Sequence, residues 1–378
     1  MARLGELCKI QSGGTPSRSN KKYWEKGTIP WVKISDIKSK YLNSVEEYIT
    51  QDGLENSAAK IFPAGTILYT IFATLGEVCI LDIDATTNQA IAGIQIENDQ
   101  IEKDYLYYYL LSLKQTVNSI GRGVAQNNIN MTILKNFEIP LPPMEEQRKI
   151  AAVLDKVSVL IVKRRQQLEK LDLLVKARFV EMFGDPVSNS YQFPVLSLPE
   201  LGELGRGVSK HRPRNAPELL GGKYPLIQTG EVANSDLYIH SYENTYSEVG
   251  FQQSKMWKAG TLCITIAANI AKTAILSFDA CFPDSVVGFS ANEKTNNIFV
   301  HYWFSFFQEI LEAQAPESAQ KNINLKILSE LNVIVPDIEE QNCFADFVEQ
   351  AEKTKTRIRE SLTKLETLKK ALMQEYFG

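Results

Sequence analysis

The sequence predicts a mixed α/β protein in which two repeated globular domains are joined by two long antiparallel coiled-coil helices with pseudo-twofold symmetry. Two observations lead to this fold class. One is an internal repeat that covers most of the 378 residues. The other is a pair of stretches, each about 40 residues long, that contain neither glycine nor proline. A chain of this length can form two or three packed cores.

The composition is that of an ordinary globular chain. With 44% hydrophobic and 23% charged residues, it excludes disorder, collagen and a coiled coil throughout. The apolar runs are far shorter than the roughly 18 residues of a membrane span, and the first residues lack the apolar core of a signal peptide. We therefore expect a cytoplasmic protein without a membrane segment. Five cysteines, none in a Cys-x-x-Cys pair, predict reduced, buried thiols.

The residues that most catalytic and metal sites need are scarce. There are 3 histidines, and neither a phosphate-binding loop nor a dinucleotide-binding glycine pattern is present. We expect no metal and no cofactor on this chain. The net charge of -4 argues against a protein that coats nucleic acid through bulk electrostatics, but a local basic face remains compatible with specific binding.

The internal repeat is clearest in the second half of each copy. At an offset of 194 residues, three motifs return: 126–131 as 320–325, 145–147 as 339–341, and 183–184 as 377–378. Near the start of each copy, Leu4-Gly5-Glu6-Leu7 is matched with Leu201-Gly202-Glu203-Leu204 at an offset of 197. The chain is therefore interpreted as two copies of one unit.

Each copy begins with about 140 residues of short β-branched and aromatic runs separated by glycine, proline and asparagine, such as 29–34 and 65–70. These runs predict strands. A helical stretch at 104–117, matched less clearly by 299–313, completes a mixed α/β domain.

The two stretches without glycine or proline predict long helices. They follow Pro142-Pro143 and Pro336-Asp337 and end at Gly184 and Gly378. At 1.5 Å per residue each helix is roughly 60 Å long, too long to be absorbed by one domain, so it must pack on another helix.

Heptad spacing identifies the packed face of each helix. The seam of the first helix contains Ile150, Leu154, Val157, Ile161, Leu168, Leu171, Val175 and Met182, and that of the second contains Phe344, Ala351, Ile358, Leu365 and Leu372. Four basic residues interrupt these seams: Arg164, Arg178, Lys355 and Lys369. They fix the register, extend to solvent or face another protein.

Two related domains on a rigid spacer suit a target with two sites at a fixed distance, and duplex DNA is the obvious polymer. Basic residues cluster at matching places in the two copies, where they can hold phosphate and reach base edges: Arg18, Lys21, Lys22 and Lys26 in one, Arg206, Lys210, His211, Arg212 and Arg214 in the other. An ordinary solvated loop is the alternative for each cluster.

Two further groups of residues are candidates for DNA contact. The first occupies matched positions with different side chains, as base reading requires: Lys33, Ser35 and Asp36 against Gln228, Gly230 and Glu231. The second is a loop represented by Arg122 and Asn127 in the first copy and by Lys321 in the second. Ordinary surface variation and backbone capping are the alternatives.

Several motifs of this sequence resemble those of a known family, the specificity subunit (HsdS) of type I restriction-modification systems. Residues 139–150 and 171–184, with their second copies, are similar to its central and distal conserved regions. Gly13-Gly14-Thr15-Pro16 and Ile29-Pro30-Trp31 resemble the opening of its target recognition domains. The second copy departs from this pattern, with Lys210-His211-Arg212-Pro213 at the glycine loop.

The resemblance implies a non-catalytic reader of double-stranded DNA. Residues 1–143 and 185–337 would be target recognition domains, each reading one half of a bipartite asymmetric site. The helices 144–184 and 338–378 would set the spacing and dock two methyltransferase (HsdM) subunits, with restriction (HsdR) subunits joining the full complex. S-adenosylmethionine would belong to the methyltransferase.

Two other classes of function compete with this interpretation. An enzyme acting in its own right would need a carboxylate cluster with a lysine, or a cofactor loop, and neither pattern is found in the sequence. A protein-interaction scaffold that does not read DNA sequence would show no salt-dependent DNA affinity.

Overall fold

The computed structural model describes residues 1–121, 129–211, 213–267, 270–314 and 323–378. The chain divides into two compact units. Unit 1 consists of Met1–Arg165 with Glu360–Gly378, and unit 2 consists of Gln166–Arg359. Each unit therefore contains one globular part and a segment of both long helices.

In the first half of the chain, the described residues form ten strands and six α-helices. The strands are β1 (Ala2–Arg3), β2 (Cys8–Ser12), β3 (Ile29–Val32), β4 (Tyr41–Leu42), β5 (Glu47–Ile49), β6 (Ile67–Thr70), β7 (Val78–Leu81), β8 (Thr86–Thr87), β9 (Ile91–Ile96) and β10 (Glu138–Ile139). The helices are α1 (Leu4–Leu7), α2 (Gln51–Glu55), α3 (Lys103–Ser112), α4 (Lys114–Gly121), α5 (Met131–Lys135) and α6 (Met144–Phe183).

Within its described residues, the second half repeats this strand order with one additional strand. Its helices differ in two places, because a helix replaces the 3₁₀ turn Ile34–Asp36 and a single helix replaces α3 and α4. The strands are β11 (Val195–Ser197), β12 (Gly202–Arg206), β13 (Leu220–Leu226), β14 (Tyr238–Ile239), β15 (Asn244–Tyr246), β16 (Met256–Trp257), β17 (Leu262–Thr265), β18 (Thr273–Leu276), β19 (Ala280–Cys281), β20 (Val286–Ala291) and β21 (Asn332–Ile334). The helices are α7 (Leu198–Leu201), α8 (Thr229–Asn234), α9 (Glu248–Gln252), α10 (Asn297–Gln314), α11 (Leu325–Ser329) and α12 (Ile338–Phe377).

The sheets of the two units have the same topology. Unit 1 has a five-stranded sheet in the order β2-β9-β6-β7-β4, a three-stranded sheet β5-β3-β8 and the pair β1-β10. Unit 2 has β12-β20-β17-β18-β14, β15-β13-β19-β16 and β11-β21. In unit 1 an isolated bridge between Phe62 and Ala85 stands where β16 pairs with β19. The predicted fold class, repeated α/β domains with two long helices, is confirmed.

The predicted repeat match at the start of the two copies is wrong by three residues. Helix α1 corresponds to α7, so Leu4 is matched by Leu198 rather than by Leu201. In both helices a glutamate caps the first turn, since the backbone N–H of Arg3 donates to Glu6 at 3.1 Å and that of Ser197 donates to Glu200 at 2.8 Å. The letters Leu-Gly-Glu-Leu recur at 201–204, but the capping geometry recurs at 198–201.

A fully buried glutamine fixes the start of each long helix. The Gln147 amide donates to the carbonyls of Gln100 and Pro142, both at 2.8 Å, and its oxygen accepts the backbone N–H of Glu102 at 2.9 Å. Gln341 repeats this in unit 2, donating to the carbonyls of Lys294 and Pro336. Buried amides of this kind need all their partners, so the helix is tied to the loop that precedes α3 or α10.

In unit 1 the beginning of α6 packs against the end of α12. Leu154 is fully buried in a cluster that Leu372 and Met373 cover, and further along Arg165 donates to Glu366 at 2.7 Å. The two helix segments are therefore antiparallel. Of the predicted seam residues in this unit, Leu154 and Ile161 are buried, whereas Leu365 and Leu372 are partly exposed.

In unit 2 the end of α6 packs against the beginning of α12, again antiparallel. The rings of Phe179 and Phe344 meet edge to face with centroids 5.3 Å apart. Lys355, a basic residue of the predicted seam, is only 2% exposed. Its ammonium pairs with Glu352 at 2.6 Å on its own helix and with Asp172 on α6. A buried charge needs such partners, so Lys355 fixes the helix register.

The other residues of the predicted seams vary in burial. Val175 and Ile358 are buried in unit 2, and Leu168 is partly exposed. Arg178 pairs with Glu181 of its own helix at 2.8 Å. In unit 1 the Lys369 ammonium lies 5.8 Å from the centre of the Tyr108 ring.

The cysteines are free thiols, and four of them are buried as predicted. Cys343 is the exception, because it lies on the exposed side of α12. Among the helices in the described part of the chain, none is both long and apolar enough to cross a membrane.

Replacing Gln147 with leucine should lower the free energy of unfolding by about 2–4 kcal/mol, because a buried N–H and two carbonyls lose their partner. Urea titration followed by far-UV circular dichroism measures this change. The matched control is Glu145→Gln, whose side chain is 82% exposed and should change stability by less than about 0.5 kcal/mol. Equal stability of the two variants would contradict the anchoring role.

Candidate nucleic-acid interface

The glycine loop of unit 1 follows β2 and is held against the sheet. The Gly13 N–H donates to the carbonyl of Ile91 at 3.1 Å. A Cβ at Gly13 would lie 2.0 Å from the Thr87 hydroxyl, so only glycine permits this approach. The indole N–H of Trp31 donates to the carbonyl of Gly14 at 3.0 Å. The loop that carries the first basic cluster is therefore anchored at its start.

Arg18 lies on a surface made by two tryptophans. Its guanidinium carbon is 3.7 Å from the Trp24 ring centre and 4.6 Å from that of Trp31. The indoles meet edge to face, with centroids 5.0 Å apart, and the Trp24 N–H donates to the carbonyl of Ser17 at 3.1 Å. Stacking on aromatic faces restricts an arginine side chain without burying it, and Arg18 remains 52% exposed.

Glu47 on β5 joins Arg18 to Lys33. Its carboxylate pairs with the Arg18 guanidinium and lies 2.9 Å from the Lys33 ammonium, which also contacts Glu46 at 3.1 Å. Desolvation alone would raise the pKa of the Glu47 carboxyl, but hydrogen bonds from Arg18 and Lys33 hold that pKa below its usual value. Hydrogen bonds to Glu47 and Glu46 raise the pKa of Lys33. Both shifts favour the charged forms of Lys33 and Glu47.

The other candidates of unit 1 differ in exposure. Lys21 and Lys22 are exposed on the 3₁₀ turn Lys21–Tyr23, and Ser35 is exposed on a second turn. Asp36 is 8% exposed, and its carboxylate accepts the backbone N–H of Lys33 at 2.8 Å. That carboxylate stabilises the turn that carries Lys33 and Ser35.

The basic loop of unit 2 is held by different side chains. Gly207 occupies the place of Gly13, since its N–H donates to the carbonyl of Val286 at 2.9 Å; the predicted match of the glycine loop to 210–213 is therefore wrong by three residues. The Gln253 side-chain oxygen accepts the backbone N–H groups of Lys210 at 2.5 Å and His211 at 2.8 Å. The Ser254 hydroxyl donates to the carbonyl of Val208 at 2.9 Å.

Two arginines, Arg206 at the end of β12 and Arg214 in the loop, converge on Asp284. The Arg214 guanidinium pairs with the Asp284 carboxylate, and Arg206 donates to the Asp284 backbone carbonyl. The Nε2 atom of the His211 imidazole lies 3.7 Å from a carboxylate oxygen of Glu218. Asp284 thus contacts two cations from different elements, as Glu47 contacts Arg18 and Lys33 in unit 1.

The matched positions 33–36 and 228–231 are equivalent in the structure. The Gln228 N–H donates to Glu231 at 3.1 Å, as the Lys33 N–H does to Asp36, so Glu231 also caps a turn while Gln228 is exposed. Four predicted contact residues lie outside the described part of the chain: Arg122, Asn127, Arg212 and Lys321.

Four residues that organise these loops were not predicted as site residues: Trp24, Glu47, Gln253 and Asp284. Trp31 was identified in the sequence only as part of the motif Ile29-Pro30-Trp31 and was given no role. An aromatic pair near an arginine was a usable signal for Trp24, but no local pattern connects Gln253 or Asp284 with the loop.

The fold and the loops define a protein of two repeated α/β units, each with an anchored basic loop on the same frame. The family model described as "Type I restriction modification DNA specificity domain" matches residues 1–170 and 195–369. The chain belongs to this family.

Several curated relatives carry the matching description. The chain is 34% identical to the type I restriction enzyme MjaIX specificity subunit of Methanocaldococcus jannaschii over 48% of this chain and 43% of that protein. It is 31% identical to the EcoR124I/EcoR124II specificity subunit of Escherichia coli over 42% and 40%. These two alignments span less than half of either relative. The MjaX specificity subunit of M. jannaschii is 24% identical over 97% of this chain and 91% of that protein.

Solved structures share the fold. A chain from a study of complex assembly and conformational transition of the type I R-M system superposes with a TM-score of 0.61 at 19% identity, covering 100% of this chain and 96% of that one. The S subunit of the type I system from M. genitalium gives a TM-score of 0.59 at 15% identity, covering 100% and 95%. The relatives are named as specificity subunits, which agrees with the interpretation that this chain is not itself an enzyme.

Replacing Gln253 with alanine should release the loop of unit 2, because the N–H groups of Lys210 and His211 lose their acceptor. Hydrogen exchange measured by mass spectrometry should become at least about tenfold faster in the peptide that contains both amides. Gln252→Ala, a change at an exposed neighbouring glutamine, serves as the control. Unchanged exchange in the Gln253 variant would show that other contacts hold the loop.

Proposed function

We propose that this chain is the sequence-specific DNA-binding subunit of a type I restriction-modification complex, in which each unit reads one half of a bipartite asymmetric site. The observation that carries this proposal is the recurrence of an anchored basic loop at the same place in both units. Family membership supports the same role. The chain contributes recognition rather than catalysis, and a cytoplasmic location follows from that role.

In unit 1, we assign Arg18 and Lys33 to the centre of the DNA contact and Lys21 and Lys22 to phosphate. A guanidinium held on indole faces has little freedom to lose on binding, which favours a directed contact with a base edge or phosphate. The exposed lysines act as mobile point charges and carry no sequence information. Ser35 lies on the turn that Asp36 stabilises and is the remaining candidate here.

In unit 2, the proposed contacts come from Arg206, Lys210, His211 and Arg214, with the exposed amide of Gln228 as a candidate for adenine recognition. Glu231 supports Gln228 through the turn that it caps. The proposed set of DNA contacts also includes four residues outside the described part of the chain: Arg122 and Asn127 of the first copy, and Arg212 and Lys321 of the second.

The two half-sites should differ because the two units share a frame but not side chains. Gln228 of unit 2 occupies the position of Lys33 in unit 1. Unit 1 has Arg18 stacked on two tryptophans, whereas unit 2 has Arg206 and Arg214 bound to Asp284. We assign target recognition to 1–143 and 185–337 and the spacing between half-sites to the helices 144–184 and 338–378.

We further propose that the long helices dock two methyltransferase (HsdM) subunits, and that restriction (HsdR) subunits join the full complex. Helix α6 exposes apolar side chains that soluble helices normally keep buried. In unit 1 these are Val153, Val159, Leu160 and Val162, and in unit 2 Leu173, Leu174 and Val180. S-adenosylmethionine binds to the methyltransferase and not to this chain.

The DNA-binding role is tested with the chain assembled with its methyltransferase. Arg18→Ala and Arg214→Ala should each weaken binding to a duplex by roughly 3- to 30-fold and reduce the slope of log affinity against log salt concentration by about 0.9 per lost phosphate contact. The control is Lys294→Ala, at an exposed site outside both loops. Wild-type affinity and slope in both arginine variants would remove these loops from the interface. A wild-type complex without salt-dependent DNA affinity would favour a protein-interaction scaffold.

The docking surface is tested by placing a charge on it. Leu173→Asp, at a side chain that is 67% exposed, should leave the unfolding midpoint unchanged but weaken methyltransferase binding at least about tenfold, because a charge must then be desolvated. Val187→Asp, in the segment that follows α6 and 47% exposed, is the matched control. Equal methyltransferase affinity of both variants in calorimetry would contradict docking on this face.

A further inference from the structure

We propose that Glu47 in unit 1 and Asp284 in unit 2 are positioning carboxylates, which keep the basic loops from binding DNA phosphate indiscriminately and so set the discrimination between target and other DNA. This inference rests on the proposed function. It assigns a task to two acidic residues in the middle of surfaces that are proposed to bind a polyanion.

The geometry of unit 1 places Glu47 between two cations rather than beside one. The Arg18 guanidinium pairs with the Glu47 carboxylate, and the Lys33 ammonium lies 2.9 Å from an oxygen of that carboxylate. The Glu47 side chain is 29% exposed and that of Lys33 is 26% exposed, compared with 63% for Glu46. Partial burial makes the pairs with Glu47 stronger than an ordinary surface ion pair.

Unit 2 reaches a similar arrangement with other residues. Asp284 follows β19, whereas Glu47 lies on β5, so the two acids are not copies of one position. The Asp284 side chain is 24% exposed and pairs with Arg214, and its backbone carbonyl holds Arg206. The arrangement has therefore arisen on two different elements, which argues that the loops require a carboxylate partner.

A carboxylate at this place affects DNA binding in two ways. It occupies donors of the arginine that would otherwise bind the nearest phosphate, and its own charge repels the phosphate backbone. Both effects weaken binding to any duplex. At the target sequence the carboxylate also orients the cations for base contacts, and these contacts offset the loss; at other sequences there is no such gain. The carboxylate thus increases the difference between the two affinities.

The test uses Glu47→Gln, which keeps the size and hydrogen-bonding capacity of the side chain but removes its charge. Glu46→Gln is the matched control, because Glu46 contacts Lys33 but not Arg18. Asp284→Asn, with Glu203→Gln as its control, gives an independent measurement in unit 2. Each variant is assembled with the methyltransferase. The probes are a duplex with the motif whose methylation depends on this chain and a scrambled duplex of the same composition, each at several salt concentrations.

We expect Glu47→Gln to bind the scrambled duplex about 3- to 10-fold more tightly at low salt, with a salt dependence steeper by about 0.9 for each phosphate newly contacted. The ratio of target to scrambled affinity should fall, and the Glu46→Gln control should retain it. A merely structural role would lower stability and weaken binding to both duplexes without steepening the salt dependence.

Unchanged or weaker binding of the scrambled duplex by both folded variants, Glu47→Gln and Asp284→Asn, would overturn the inference. Failure of the proposed function has a different signature, because the wild-type complex would then bind both duplexes equally. A wild type that discriminates, together with variants that discriminate equally well, contradicts only the role assigned to the two carboxylates.

Discussion

The structure of each unit depends on one buried amide at the first turn of a long helix. Gln147 and Gln341 are both fully buried, and each bonds to the loop before the helix and to the loop that precedes α3 or α10. These hydrogen bonds fix the direction of the long helix at its first turn. The last turn of the other long helix packs against the same unit. In unit 1 the rings of Tyr105 and Phe377 lie 5.3 Å apart, and in unit 2 those of Phe299 and Phe183 lie 5.1 Å apart.

The same frame carries chemically different loops. In unit 1 the indole N–H groups of Trp31 and Trp24 donate to carbonyls of the glycine loop, and Arg18 stacks on both rings. In unit 2 the side chains of Gln253 and Ser254 bind the backbone of the loop. Strand order and capping are shared because they determine the fold of both units. Loop side chains are free to differ because each loop needs only its own partners. Such a division between a common frame and separate loops is what a protein needs if its two halves are to read different sequences.

The sequence predicted the parts of this structure that leave a periodic or repeated signal. The two long helices followed from heptads and from the absence of glycine and proline, and the two units from an offset of 194 residues. The start of the repeat was misplaced because Leu-Gly-Glu-Leu occurs at 201–204 while the glutamate cap lies at Glu200. Glu47 and Asp284 were missed because they approach the loops across 29 and 78 residues of sequence, and only the folded sheets bring them there. Asp36 and Glu231 were assigned to base reading, but both carboxylates cap turns, and one sequence does not distinguish a capping acid from a contacting one.

The central claim is that this chain directs methylation to a bipartite DNA site. It is tested most directly by mapping the positions of methylated adenines in the genome of a host. The host expresses the type I methyltransferase that assembles with this chain, in the presence and in the absence of the chain. The account predicts methylation at one split, asymmetric motif that disappears when the chain is deleted. Two further hosts carry Arg18→Ala or Arg214→Ala, and each variant should relax a different half of that motif. An unchanged methylome, despite verified assembly with an active methyltransferase, would contradict the account.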